Sequence, residues 1–245
     1  MTRQRLKDSR FTGLVVLPVF LFALSSVAGG QQSASAAKLI ERFKTSKVFF
    51  EQFEVAETLV KLHDKTVLDP LEPFLKDEDR HVRGNAAFVF AGLGDDRGFE
   101  VIRAILQDRS DRLAGQGLPG GNWSVSAQIA SDRYYAAHLF GDLKDTRAVP
   151  ILIPLLQDHE VNWIVPWALG EIGDQAAIPP LIQMLSDQSP DMRVLSIYAL
   201  EQLGARQALP QLRLLVLDNE KIHFDDLGTV SEAAQSAITK LDGKR

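Results

Sequence analysis

The stretch that decides the fold runs from Ala168 to Ile182 and reads ALGEIGDQAAIPPLI. Leu169 and Ile172 are spaced as on one face of a helix, Gly173-Asp174 interrupts it, and Ile178 and Leu181 resume the spacing around Pro179-Pro180. Glycine ends helices without a Cβ penalty, and proline suits a first turn whose N–H has no intrahelical partner. The stretch therefore reads as the end of one helix, a tight turn and the start of the next.

The same pattern recurs along the chain. Its anchors are Asp64, Asp95, Asp145, Asp174 and Ala205, spaced 31, 50, 29 and 31 residues apart. Two before each anchor stands Leu62, Leu93, Leu143, Ile172 or Leu203, and five before stands Leu59, Phe90, Phe140, Leu169 or Leu200. Four after come Leu68, Phe99, Val149, Ile178 and Leu209; seven after, Leu71, Ile102, Leu152, Leu181 and Leu212; eleven after, Leu75, Leu106, Leu156, Leu185 and Val216. With the small residues Val55, Ala86, Ala136, Val165 and Ser196 nine before, these columns give an amphipathic helix on each side of every anchor. Five helix pairs result, and a sixth fits at Gly243 if extra residues near 219–228 are allowed.

This organisation resembles the HEAT-repeat family, and more closely its short, phycobilisome-lyase-like variety. The residues that carry the resemblance are Ala177-Ile178-Pro179-Pro180-Leu181-Ile182, Val82-Arg83-Gly84-Asn85-Ala86-Ala87 and Ala168-Leu169-Gly170-Glu171-Ile172-Gly173-Asp174. It covers residues 39–243 and implies an all-α fold, a right-handed α-α superhelix (HEAT-like/ARM-type solenoid) of five to six helix pairs. Such repeats mostly bind other proteins. Lyase activity is implied only by the name of the variety.

Outside the repeats, residues 1–10 carry Arg3, Arg5, Lys7 and Arg10, followed by an apolar run from Phe11 to Leu24. Small residues follow at Ser26 and Ala28, or at Ala34 and Ala36, as signal peptidase cleavage requires. A Sec signal peptide over residues 1–28, with cleavage as late as residue 36, is expected, and hence a periplasmic or secreted protein. An uncleaved anchor over Phe11–Ala28 is the rival reading. The body after residue 28 has 23 basic against 31 acidic residues, a net charge of -8. That balance disfavours nucleic acid, whose phosphates demand Lys and Arg. The absence of cysteine removes disulfides, thiolate metal sites and Cys nucleophiles.

The 50-residue step between Asp95 and Asp145 holds a surplus, Arg109–Ala130, whose Gly115, Gly117, Pro119, Gly120 and Gly121 read as a loop insertion. It carries Trp123 and the formal sequon Asn122-Trp123-Ser124. The expected loop either folds over the inner face or leaves it open.

In a two-helix solenoid the second helix of each pair lines the concave surface, with positions 11, 7 and 3 before the anchor exposed. The middle units place Phe88, Tyr134, His138, Trp163, Trp167 and Tyr198 there, where the family usually has charged or amide side chains. The expectation is a contiguous aromatic patch that binds a protein or peptide. Asp142, Glu160, Glu171 and Asp191 add negative charge along the rim, which favours a neutral or basic partner. Stacked aromatics suit sugar rings as well, so a carbohydrate or cell-wall module is the alternative.

Chemistry is sparse. The histidines are His63, His81, His138, His159 and His223, and His159-Glu160 is the only His-Glu dipeptide. HEAT-like hydroxylases that hold a di-iron centre use several such pairs, so an oxidoreductase of that kind is a third reading, and the expected cofactor is none. His138 stands near Asp142 without a recognisable nucleophile motif. Arg83, Arg133 and Arg193 recur twelve before their anchors, broken by Asn162. They read either as an anion ladder or as partners of acids such as Asp77 and Asp187 in the turn of their own unit. Pro166 is expected to kink the helix it interrupts.

Overall fold

The computed structural model describes residues 36–110, 125–223 and 228–243. The expected signal peptide over residues 1–28 lies outside them, as do residues 111–124 of the insertion with Trp123 and the sequon. Two compact units are present, Ala34–Ala177 and one beginning at Ile178. The first holds α1 (Ala36–Thr45), α2 (Phe49–Lys61), α3 (Leu68–Leu71), α4 (Arg80–Gly92), α5 (Asp96–Gln107), α6 (Val125–Leu143), α7 (Val149–Leu152) and α8 (Val165–Ile172). The second holds α9 (Ile178–Met184), α10 (Pro190–Gln202), α11 (Leu209–Leu214) and α12 (Val230–Gly243). Among the described residues the fold is all-α, with one isolated bridge between Lys221 and Thr229.

The apolar columns form the core. Leu59, Phe90, Phe140, Leu169 and Leu200 are completely buried, as are Leu71, Ile102, Leu152, Leu181 and Leu212. Burial of each side chain is worth about 1.5–3 kcal/mol, which is why the spacing persists through unrelated intervening residues. Leu62, at the C-cap of α2, is the exposed exception.

Each second helix stops in the same way. The residue before the anchor takes positive φ: His63 at 53°, Gly94 at 77°, Lys144 at 54°, Gly173 at 81° and Gly204 at 65°. The anchor carboxylate then accepts the N–H two residues on, Asp64 from Thr66, Asp95 from Arg97, Asp145 from Arg147 and Asp174 from Ala176. A second aspartate, thirteen after each anchor, repeats the device within the pair: Asp77, Asp108, Asp158, Asp187 and Asp218 each accept from the residue two on. Such Asx turns satisfy backbone donors that a helix start leaves unpaired.

First helices are less regular than their spacing predicts. Pro73 and Pro154 lack the N–H and crowd the carbonyl four residues back, so α3 and α7 last four residues each and continue as tight 3-10 turns, Glu72–Lys76 and Ile153–Gln157. Proline-free α5 runs twelve residues unbroken. The insertion is also shorter than Arg109–Ala130, because Val125–Ala130 already belong to α6.

Arginines tie successive turns together, but not by the expected pairing. Arg133, only 2% exposed, sends Nη2 to Asp158 Oδ2 at 2.6 Å, Nη1 to Glu160 Oε2 at 2.8 Å and Nε to the Leu106 carbonyl at 2.9 Å. Arg80 reaches Asp108 and Asp132 in the same manner, and Arg193 reaches Asp218 and Glu220. The carboxylates therefore come from the following turn and, for Asp132, from α6. Asp77 and Asp187 offer Arg83 and Arg193 their backbone carbonyls instead. Burial works against ionised Asp158, yet the hydrogen bonds from Arg133 and Glu160 N–H hold its carboxyl below the usual range.

Candidate functional site

The inner face of the Ala34–Ala177 unit is built by α2, α4, α6 and α8. On its α2–α4–α6 side the aromatics pack on one another. Phe53 meets Phe88 edge to face at 5.0 Å between centroids, and Tyr135 lies 5.6 Å from Phe49 and 6.2 Å from Phe53. Gly84 makes this possible, since a Cβ there would come within 3.1 Å of Leu139 and 3.4 Å of the Tyr135 ring. The Tyr135 hydroxyl reaches across to donate to Asn85 Oδ1, and Asn85 donates to Gln52 and to the Phe49 carbonyl. Phe88 is consequently 6% exposed. The expectation that Phe88 lies on an open surface is corrected: Phe53 covers it, and it is core.

On the α6–α8 side the rings are half-buried. His138 stacks on Trp167 with centroids 4.5 Å apart and planes at 24°. Its Nδ1 stands 2.9 Å from Asp142 Oδ2, one helical turn along α6. Gly141 lets the indole approach α6, because a Cβ there would fall 2.6 Å from the Trp167 ring and 3.1 Å from Ala168 Cα. Tyr134 and Trp163 are also half-buried, and burial pushes the Tyr134 hydroxyl up to about 12. Tyr198 belongs to the other unit, where it is an exposed residue of α10. Of the six predicted residues, Phe88 is buried, Tyr134, His138, Trp163 and Trp167 are half-buried in the first unit, and Tyr198 is exposed in the second.

Pro166 does not kink a helix; it starts one. It sits in the first turn of α8, and residues 159–164 before it are turns. Without a Pro166 N–H, the Asn162 carbonyl accepts from Val165 at 3.2 Å. Trp163 is therefore presented from a turn rather than a helix. The Oδ1 of Asn162, buried where other units have arginine, has no partner among the described residues.

The acids of the rim divide. Glu160 is engaged by Arg133 and Arg109, and Asp191 is buried, accepting the N–H of His223 at 2.6 Å and facing its Nδ1 at 2.9 Å. Neither lines an open groove. Asp142 and Glu171 remain on the inner face, Glu171 with Lys144 at 3.5 Å. Glu57, on α2, joins them: burial raises its carboxyl above the usual value, Lys61 and His138 oppose this, and Asp142 and Glu54 add to it.

With this geometry the sequence matches the family of HEAT repeats over residues 128–185 and again over 160–222. Residues 128–222 carry HEAT repeats. Among solved structures, the complex of CpcE and CpcF of phycocyanin lyase from Nostoc sp. is similar at a TM-score of 0.45 and 19% identity, over 90% of this chain and 99% of that one. A designed armadillo repeat protein is similar at 0.44 and 18% identity, over 83% and 98%. Another, in complex with peptide (KR)4, is similar at 0.44 and 17%, over 85% and 100%. No curated protein matches the sequence.

The inner face also holds two residues that the repeat spacing does not single out. Tyr135 stands one place beyond the position taken as exposed, and only Gly84 on the neighbouring helix signals that it can lean across. Glu57, on α2, stands seven before Asp64, the repeat position of Phe88 and Trp167, and the packing of α2, α4 and α6 brings it under the influence of His138 and Asp142.

Proposed function

We propose that this is an exported HEAT-repeat scaffold or adaptor, without catalysis of its own, whose inner face captures a neutral or basic protein or peptide. The observation that carries the reading is the half-open aromatic set Tyr134, His138, Trp163 and Trp167, bordered by Asp142 and Glu171. Large rings at solvent-facing repeat positions supply contact area at little conformational cost, which suits them to anchor a partner. The basic, apolar and small-residue order of residues 1–28 supports export to the periplasm or medium. No helix among the described residues is long and apolar enough to cross a membrane.

Two measurements test this. N-terminal sequencing of the chain recovered from the periplasm should begin after Ala28 or Ala36, and a chain retaining Met1 in the membrane fraction would replace export with anchoring. Crosslinking in cells followed by mass spectrometry should identify a recurrent protein partner that Trp163→Ala/Trp167→Ala no longer captures. Capture that survives the double substitution moves the site off this face.

A further inference from the structure

Building on the capture reading, we infer that the partner presents an arginine side chain to the α6–α8 side, its guanidinium resting on Trp167 and pairing with the carboxylates of Asp142 and Glu57. The floor is already assembled. Gly141 and the His138 ring fix the indole in place, and the indole remains half-exposed. A planar cation gains from the face of such a ring, and its forked donors match carboxylates alongside.

The charges on the three helices are unbalanced. Glu171 has Lys144 at 3.5 Å, and among the described residues Asp142 has only the His138 ring at 2.9 Å. Glu57 forms no ion pair among the described residues, and Lys61, one turn along α2, is exposed. Burial makes the ionised form of Glu57 costly; Lys61 and His138 offset part of this, and Asp142 and Glu54 add to it. A cation arriving from a partner removes that cost at Glu57 and pairs with the Asp142 carboxylate, whereas an apolar side chain would deepen it. Lysine offers a compact, strongly hydrated charge without the planar fork that lies flat on a ring and grips carboxylates with paired donors, which is the reason for choosing arginine.

The test uses the purified chain and acetylated octapeptides (Ser-Arg)4, (Ser-citrulline)4, (Ser-Lys)4 and (Ser-Glu)4, with tryptophan fluorescence and calorimetry as readouts. Citrulline keeps the shape of arginine and removes its charge. The arginine peptide is expected to bind at least tenfold more tightly than the citrulline peptide, and Glu57→Gln and Asp142→Asn should each weaken it several-fold while leaving the citrulline peptide unaffected. Equal binding of the arginine and citrulline peptides, or binding that Trp167→Ala weakens and Glu57→Gln/Asp142→Asn does not, overturns the arginine seat and leaves the aromatic capture surface standing. If lysine binds as well as arginine, the stacking argument fails. If no peptide binds while crosslinking still finds a partner on Trp163 and Trp167, the arginine seat alone is refuted; if both fail, so does the capture reading.

Discussion

Phe88 on α4 and Trp167 on α8 stand at the same repeat position, seven before their anchors, and have different fates. Phe88 is sealed under Phe53, while Trp167 lies half-open against His138. The difference comes from the neighbours. On the α4 side, Gly84 admits Tyr135, whose hydroxyl fastens it to Asn85, and the rings close over one another. On the α8 side Pro166 shortens the helix, Trp163 rides on the preceding turn, and no second layer of rings covers Trp167 among the described residues. A repeat position fixes direction; the residues one helix away decide whether that direction leads to core or to surface.

The largest expected effect lies on the sealed side. Phe88→Ala removes a buried ring and leaves a cavity under Phe53, which should cost about 3–5 kcal/mol in urea unfolding. A cost below about 1 kcal/mol would mean that the two sides are equally open. Next come the two glycines. Gly141→Ala drives a methyl against the Trp167 ring and the Ala168 backbone, and about 1–3 kcal/mol should be lost together with a shift in tryptophan emission. Gly84→Ala meets the mobile end of Leu139 at 3.1 Å and should cost less, with the emission unchanged. A reversed order would sharpen the comparison in the opposite sense, making the Tyr135 side the more rigid.

Glu57 gives a smaller, pH-dependent effect. Its carboxyl is raised in the folded chain, so the folded state binds its proton more tightly than the unfolded state, and stability falls as pH rises above the unfolded value of about 4.3. Glu57→Gln should therefore stabilise the chain slightly at neutral pH, and the gain should vanish toward pH 4 and below. Thermal melts across that range measure it. An equal gain at every pH would assign the effect to packing.

Much of this architecture was legible in the residues. The anchors and apolar columns predicted the buried leucines and phenylalanines of the helix pairs, because burial every three or four residues is the one constraint a helix cannot hide. The first helices were read as continuous, since Pro73 and Pro154 sit among good apolar spacing and their cost shows only in the 3-10 turns that follow. Arg133 was seen, but its partners Asp158 and Glu160 lie in the next unit, beyond the reach of a pattern read one unit at a time. Phe88 was misplaced for the same reason, as its cover comes from another helix. Asp191 was counted with the rim charges, although it caps a turn by accepting from His223.

The most direct test is the unfolding of Trp163→Ala/Trp167→Ala measured beside Phe88→Ala, with capture of the crosslinked partner followed in the same preparations. The account predicts that the double tryptophan variant keeps its helical content, melts close to the parent chain and loses the partner, while Phe88→Ala is strongly destabilised. A double variant that unfolds as readily as Phe88→Ala would show that both tryptophans are core, and the inner face would then have no open aromatic surface to offer.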